Sequence, residues 1–160
     1  MGIEIERKFL VASDAWRGAV ESRTEMVQGY LATTERVTLR VRIQDETAIL
    51  GVKGPVRGLA RSEYEYPVPL ADARAMMAEL SIAPPVEKTR YRVRHGRHVW
   101  DLDCFEGANA GLVVAEIELA SPNERFDLPP WAGREVTGDP RYSNANLARY
   151  PFVLWRDSGG

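Results

Sequence analysis

The sequence lacks the features that would place it in several specialised classes of protein. It has a single cysteine, Cys104, which excludes an internal disulfide and a cysteine-ligated zinc site and favours a reducing, cytoplasmic location. It has no excess of basic residues, since 21 basic side chains stand against 23 acidic ones, so a positively charged nucleic-acid-binding surface is not expected. Charge alternates from Glu4 onward, and the N-terminus therefore predicts neither a signal peptide nor a membrane span.

What is present fits an ordinary globular domain. The chain has 160 residues, of which 44% are hydrophobic and 28% are charged. A chain of this size buries roughly 70% of its unfolded surface and needs no disulfide or metal to stabilise its core. We therefore expect one domain over residues 1–156, followed by a short tail over residues 157–160.

Alternation of apolar and polar residues dominates the first two-thirds of the chain and predicts a mainly antiparallel α+β fold. Eight strands of this kind are enough to close a small barrel with helices packed outside it. Helices are predicted from a Ser13 cap to Val20, over 70–81, after a capping box at Ser121–Glu124, and over 142–149. The predicted strands lie near residues 2–11, 25–32, 36–44, 47–54, 60–68, 87–95, 97–105 and 111–119.

The polar faces of these strands carry more charge than solubility requires. In the first strand, Glu4, Glu6 and Lys8 fall on one side because side chains alternate between the two faces. In the second, Gln28 and Tyr30 share the polar face. The corresponding rows of the later strands contain Arg40 and Arg42; Lys53; Glu63 and Glu65; Lys88, Arg90 and Arg92; Asp101 and Asp103; and Glu116 and Glu118.

On any one strand such a row is most often a solvated outer face, but the combination favours a charged lumen inside a closed barrel. In an enclosed space of low dielectric, acidic and basic groups must neutralise each other or bind ligands of both signs. A polyanion together with a divalent metal meets this need. Glutamate and aspartate oxygens suit the metal, and arginine and lysine suit phosphate oxygens.

Several ordered blocks of the sequence resemble the CYTH superfamily, the triphosphate tunnel metalloenzymes, in its short bacterial form. The first block has the ExExK pattern that marks the N-terminus of this family. The match extends over nearly the whole chain. The blocks are Glu4–Val11, Leu39–Arg42, Lys53–Gly54, Arg61–Glu65, Lys88–Tyr91, Trp100–Gly107, Ala115–Leu119 and Gly133–Gly138.

The resemblance implies an eight-stranded tunnel that acts on triphosphates with Mg²⁺ or Mn²⁺. It implies that Lys88 and Tyr30 together handle the attacking water, and that Glu63 and Glu65 orient the basic groups or help to place a second metal. The residues themselves leave alternatives: Lys88 as a plain phosphate-binding cation and Tyr30 as a packed tyrosine. Arg92 is expected to bind substrate, or only to steer it at the mouth of the tunnel. The resemblance assigns triphosphate binding to Lys8, Arg40, Arg42, Lys53 and Arg90, and metal binding to Glu6, Glu116, Glu118, Glu4 and either Asp101 or Asp103.

Our leading hypothesis is therefore a metal-dependent triphosphatase acting on inorganic triphosphate, a small molecule. Hydrolysis of thiamine or nucleoside triphosphates and a class IV-type adenylyl cyclase are the alternatives within the same family. A non-catalytic module that binds polyphosphate or nucleotides is a further alternative, although intact acidic rows argue against it. The sequence leaves the oligomeric state open, with a homodimer as one option.

Overall fold

The structure, a computed structural model, describes residues 2–157. Eight of the strands pair in the order β5-β4-β3-β2-β6-β7-β8-β1, and β1 pairs back to β5, which closes an antiparallel barrel. The predicted closed eight-stranded barrel is confirmed, and β9 is an extra strand paired to β1. The strands in the described residues are β1 (Ile3–Val11), β2 (Val20–Thr33), β3 (Thr38–Gln44), β4 (Thr47–Lys53), β5 (Ala60–Val68), β6 (Val86–His95), β7 (His98–Phe105), β8 (Val113–Glu118) and β9 (Ala132–Glu135).

The helices are short and lie outside or at one end of the barrel. The α-helices of the described residues are α1 (Leu70–Leu80) and α2 (Asn144–Arg149). Single 3-10 turns occur at Ala15–Ala19, Gly107–Asn109, Pro140–Tyr142 and Phe152–Leu154. Of the predicted tail, Asp157 belongs to a turn, whereas Ser158, Gly159 and Gly160 lie outside the described residues.

The helix predicted from Ser13 to Val20 is wrong. The segment forms one 3-10 helix over Ala15–Ala19, and Val20 begins β2. Gly18 has low helix propensity, and a β-branched residue such as Val20 favours extended backbone. Trp16, which is 1% exposed, anchors the turn against the barrel. β2 therefore has 14 residues and begins earlier than the predicted strand over 25–32. The added first half of β2 pairs with β6.

The helix predicted after Ser121 is absent from the described residues. The hydrogen bonds of a capping box are replaced by those of a turn: the Glu124 carboxylate accepts from the Ala120 N–H instead of that of Ser121, and the Glu124 N–H donates to the Ser121 carbonyl instead of its hydroxyl. The chain stays irregular after this turn. Pro129 and Pro130 have no backbone N–H to donate, so a helix that began here could not continue through them. β9 was not predicted, because it is too short for a period-two pattern.

The predicted helix over 70–81 is α1, which packs on the outer face of β2, β3 and β4. Its Ala73 is fully buried in a cluster with Val41 and Ala48. At Gly29 of β2, an added Cβ would lie 2.8 Å from the Met77 Cγ, so only glycine lets the helix approach this closely. The apolar outer face of this part of the barrel is thus covered, as expected.

Two further apolar clusters lie outside the barrel wall and at one end of the barrel. Outside the wall, Phe9, Trp100, Ile117 and Trp131 pack together with less than 5% exposure each. At one end of the barrel, Leu147 of α2 packs with a second cluster that contains Tyr30, Val86, Phe105, Val114 and Tyr142. The apolar core therefore lies around and at one end of the barrel, and this leaves the lumen to the polar rows.

Candidate active site

The register of the barrel brings the predicted site residues onto one face. Residues directly opposite each other in paired strands point to the same side of the sheet. Linked in this way from strand to strand, the charged rows of β1, β3, β4, β5, β6, β7 and β8 lie on the same side of the closed sheet. The opposed pairs are Glu6–Glu118, Lys8–Glu116, Asp101–Glu116, Arg92–Asp101, Arg90–Asp103, Tyr30–Arg40, Glu65–Gly51, Gly51–Arg40 and Lys53–Glu63.

An ion-pair network lies at the end of the lumen that α2 covers. Lys88 Nζ lies 2.8 Å from Asp103 Oδ2, and their side chains are 2% and 1% exposed. Arg90 donates from Nε and Nη2 to the two oxygens of Asp103, at 2.8 and 3.0 Å. Lys88 also donates to Asn144 Oδ1 at 3.0 Å. Because both Asp103 oxygens are engaged by cations, its predicted role as a metal ligand competes with these contacts.

Burial and charge act in opposite directions on the two groups of this pair. Burial lowers the pKa of Lys88 to about 8, although the Asp103 carboxylate opposes the shift. Burial would raise the pKa of Asp103, but the charges of Arg90 and Lys88 outweigh it and bring that pKa below its ordinary value. Asp103 is therefore ionised near neutral pH, and Lys88 is the group that is poised to exchange a proton there.

The same end of the lumen holds a chain of neutral polar groups. Gln28 Nε2 donates to the Tyr30 hydroxyl at 3.1 Å and to Asn144 Oδ1 at 3.3 Å. Asn144 thus links Gln28 and Tyr30 to Lys88. Lys8 is attached to the same cover, because its Nζ donates to the Tyr142 carbonyl at 3.1 Å.

Two arginines of β3 form a crowded cationic wall. Arg40 lies 3.0 Å and Arg42 lies 3.5 Å from the same oxygen of Glu65, so one carboxylate is shared between two guanidinium groups. Burial, then repulsion from Arg40 and Arg90, lowers the pKa of Arg42 to about 10. The Nε atoms of Arg40 and Arg42 are buried and have no acceptor within residues 2–157. This wall has unused donors for an anion.

Gly51 makes room for this wall. It lies opposite Arg40 on β4, and an added Cβ would be 3.2 Å from Arg40 Nη2. A side chain at this inward-facing position would occupy the space through which Arg40 reaches Glu65. The sequence analysis did not single out Gly51, because a strand glycine signals close approach only when the opposite residue is known.

Acidic side chains gather towards the other end of the lumen. Lys53 Nζ lies 3.1 Å from Glu4 and 3.3 Å from Glu63, which makes it a shared cation for two carboxylates. Burial is the main reason that the pKa of Glu4 is raised. This arrangement, like that of Glu65, supports the predicted role of Glu63 and Glu65 in orienting the basic groups.

Glu6 and Glu116 form a carboxyl pair that shares a hydrogen bond. Burial, then the Glu116 and Glu4 charges, raises the pKa of Glu6 well above its ordinary value. Burial would also raise the pKa of Glu116, but the Lys8 and Arg90 charges and the hydrogen bond from Glu6 hold it far below its ordinary value. The two carboxyl groups therefore titrate as a pair in which these charges favour the shared proton on Glu6 over Glu116.

Three predicted residues lie where the lumen meets solvent. Asp101 is 28% exposed and lies 3.6 Å from Arg90. Glu118 and Arg92 are exposed, and neither forms an ion pair with any of the described residues. This placement agrees with a steering role for Arg92 at the mouth of the barrel.

The acidic side chains fit a metal ion that substrate would help to hold. Within residues 2–157, no three acidic, histidine or cysteine side chains stand close enough to form a complete metal site. Mg²⁺ is usually bound by one or two carboxylates together with substrate phosphates and waters. The Glu6–Glu116 pair suits that chemistry, because a divalent cation can replace the proton that the two carboxyl groups share.

A closed barrel lined by paired acids and bases, with surplus donors for an anion, defines a tunnel-type site for a polyanion. The chain belongs to the CYTH family, since the model of the CYTH domain matches residues 2–150. Triphosphatases of this family are metal-dependent in general.

Similar proteins cover almost the whole chain. An inorganic triphosphatase of Acetivibrio thermocellus is 43% identical over 157 residues, which are 98% of this chain and 100% of that protein. An inorganic triphosphatase of Nitrosomonas europaea is 40% identical over 152 residues, covering 91% of this chain and 96% of the relative. The crystal structure of the inorganic triphosphatase NE1496 superposes with a TM-score of 0.66 at 35% identity, covering 91% and 97% of the two chains.

None of the helices in residues 2–157 combines the length and apolar character needed to cross a membrane.

Proposed function

We propose that this protein hydrolyses inorganic triphosphate to pyrophosphate and orthophosphate in a metal-dependent reaction. The observation that carries this proposal is the cationic wall, in which burial and the neighbouring Arg40 and Arg90 charges lower the pKa of Arg42 to about 10. Such a cluster becomes favourable when a multivalent anion neutralises it. The full-length similarity to two inorganic triphosphatases supports inorganic triphosphate as that anion.

In this proposal the basic rows hold the phosphate oxygens. Arg40 and Arg42 supply guanidinium donors, including the buried Nε atoms that have no acceptor among the described residues. Lys8, Lys53 and Arg90 add charge from the neighbouring strands. Phosphoryl transfer depends chiefly on positioning and on neutralising the charge of these oxygens, so the fixed cations contribute directly to catalysis.

We assign metal binding to the lumen carboxylates of β1, β7 and β8 other than Asp103. Glu6 and Glu116 would provide the central pair, and Glu4, Glu118 and Asp101 would support them from the open end. When bound, Mg²⁺ or Mn²⁺ would neutralise charge on the phosphate oxygens. Asp103 would instead hold Lys88 and Arg90 in place through its two short ion pairs.

Lys88 would accept the proton of the attacking water. In its neutral form the Lys88 amine has two N–H groups and one lone pair. The N–H groups would donate hydrogen bonds to Asp103 and Asn144, and the lone pair would be free to take the proton of the water. The water oxygen forms a bond to the terminal phosphorus, the bond from that phosphorus to the bridging oxygen breaks, and pyrophosphate leaves. The Tyr30 hydroxyl, held by Gln28, would orient the reacting groups.

The test is an assay of the purified chain with inorganic triphosphate, ATP and thiamine triphosphate, in Mg²⁺ or Mn²⁺, with separation of the phosphate products. We expect orthophosphate and pyrophosphate from inorganic triphosphate, and no turnover when the metal is chelated. Cyclic AMP and pyrophosphate from ATP would identify a cyclase instead. Tight binding of triphosphate without any product would leave the non-catalytic module.

The cytoplasmic location, the single domain over residues 1–156, the lack of a nucleic-acid partner and the option of a homodimer stay predictions of the sequence.

A further inference from the structure

Gln28 carries a buried oxygen that the proposed reaction has not used. The residue is 0% exposed, and its Oε1 has no hydrogen-bond donor within residues 2–157. A buried amide oxygen without a donor is destabilising, so such an atom is uncommon unless it serves a ligand. It lies on the inner face of β2, two residues from Tyr30.

The orientation of the Gln28 amide is fixed by its neighbours. The Lys88 amine donates to Asn144, which places the Asn144 oxygen towards Lys88. The same oxygen lies 3.3 Å from the Gln28 amide, and this contact requires the Gln28 nitrogen as donor. The Gln28 oxygen must therefore point away from Asn144. Lys88 and Asn144 together present it as a free acceptor.

The residue opposite Gln28 supplies a complementary atom. In the pairing of β2 with β3, Gln28 faces Arg42, whose Nε is buried and has no acceptor among the described residues. A phosphate cannot serve both groups directly, since its oxygens accept hydrogen bonds from Arg42 but have no proton to give Gln28. A phosphate on Arg42 with a water on Gln28 serves both.

We propose that Gln28 is a catalytic residue whose Oε1 binds the attacking water, and that Asn144 is a positioning residue that sets the Gln28 amide. This inference rests on the proposed hydrolysis. One hydrogen of the water is donated to Gln28, which directs an oxygen lone pair towards the phosphorus held by Arg42. As that P–O bond forms and the bond to the bridging oxygen breaks, the other proton leaves to the base, and pyrophosphate carries away the electron pair.

The kinetic test uses Gln28→Met, which keeps the volume of the side chain and removes its oxygen. We expect kcat to fall by about 100-fold, while the Kd of a methylene-bridged triphosphate analogue changes less than about threefold. The matched control is Thr33→Val, which removes from the same strand another buried oxygen that has no partner among the described residues, and its kcat should stay at the wild-type value. An unchanged kcat in Gln28→Met, or a parallel loss of affinity, would overturn the proposal.

Asn144 gives a second comparison. Asn144→Asp retains an acceptor for both Lys88 and Gln28, whereas Asn144→Leu does not. We expect Asn144→Asp to keep a higher kcat than Asn144→Leu at equal affinity for the analogue. Equal losses of kcat in the two variants, with unchanged thermal unfolding, would contradict the positioning role.

A crystal structure of the wild-type protein with the same analogue and Mg²⁺ separates this inference from the proposed function. We expect an ordered water within hydrogen-bond distance of Gln28 Oε1 and next to the terminal phosphorus. If Gln28 Nε2 faces the phosphate instead, the inference fails whatever the enzyme hydrolyses. If the wild-type protein turns over no triphosphate, the proposed function fails and this inference fails with it. If it hydrolyses triphosphate but no water lies on Gln28 Oε1, the inference alone fails.

Discussion

The two ends of the lumen differ in how firmly their charges are held. At the covered end, Lys88 and Asp103 are at most 2% exposed, and every oxygen of Asp103 meets a cation. At the open end, Glu118 and Arg92 are exposed and form no ion pair with the described part of the chain. The same kind of side chain is thus fixed at one end and free to move at the other.

This difference separates two tasks. Preorganised groups stabilise a transition state without reorganising during the reaction, which favours the covered end for chemistry. Mobile, solvated charges attract ions over a distance and adapt to them, which favours the open end for capture of substrate and metal. Variants at the two ends should therefore change different kinetic parameters.

The largest effect is expected at the covered end, from Lys88→Met and Lys88→Arg. Both remove a group that can become neutral, because arginine keeps its proton. We expect kcat to fall by about 1000-fold in both variants, while the Kd of the methylene-bridged analogue rises by less than about tenfold in Lys88→Arg. Restoration of turnover by Lys88→Arg would reduce Lys88 to a phosphate-binding cation.

The pH profile sharpens the same comparison. Burial lowers the pKa of Lys88 to about 8, so the neutral amine increases as the pH rises through that value. Wild-type kcat should be half-maximal near pH 8, rise through that value and level off about one unit above it. A profile that is flat from about two units below this pKa to about one unit above it would contradict the assignment of the base.

The next largest effect is expected on metal affinity, when Glu116→Gln is compared with Glu118→Gln. The two carboxylates lie at different depths in the lumen. Glu116 is 11% exposed and shares a hydrogen bond with Glu6, whereas Glu118 is exposed. Despite burial, the Lys8 and Arg90 charges hold the pKa of Glu116 below its ordinary value. Titration of Mg²⁺ in the presence of the triphosphate analogue should show a Kd for the metal about 100-fold weaker in Glu116→Gln, and a smaller change in Glu118→Gln. The reverse order would place the metal at the mouth.

A smaller effect is expected from Arg42→Gln on the wall between the two ends. Loss of charge-assisted hydrogen bonds to phosphate should raise the KM for triphosphate by about tenfold and change kcat less. Arg57→Gln is the matched control, because Arg57 is exposed in the loop between β4 and β5. Similar shifts in both variants would mean that Arg42 acts only through overall charge.

The barrel and its charged rows could be predicted because they depend on a local signal. Side chains alternate along a strand, so the lumen-facing positions of β1, β3 and β6 follow from the order of residues such as Glu4, Glu6 and Lys8. The same local reasoning failed after Ser13 and Ser121, where helix-start signals are present. There the following residues have too little helix propensity or lack backbone donors, and each turn ends at once.

The partners of each charge could not be predicted, because they depend on how the barrel closes. Asn144 begins the last helix, which Ser143 caps, yet the Asn144 side chain reaches into the lumen to Lys88. Strand parity places Gln28 in the lumen but does not reveal its free oxygen. Distances between strands far apart in the sequence decide these contacts, and a single sequence does not encode them visibly.

The smallest effect is expected outside the lumen, at the Arg7–Glu135 pair on β1 and β9. Arg7 donates to both Glu135 oxygens at 2.8 and 2.7 Å, and this hydrogen bonding lowers the pKa of Glu135. A lowered pKa means that the pair stabilises the fold above the unfolded value, about 4.3, and that this contribution is lost as the pH falls through the folded value. Because both side chains are about one-third exposed, Glu135→Gln should lower the free energy of unfolding at neutral pH by only about 0.2–1 kcal/mol, with kcat unchanged. Chemical denaturation of the two proteins from pH 7 down to about pH 3 measures this difference, which should shrink towards zero; a difference that grows in acid would contradict the sign.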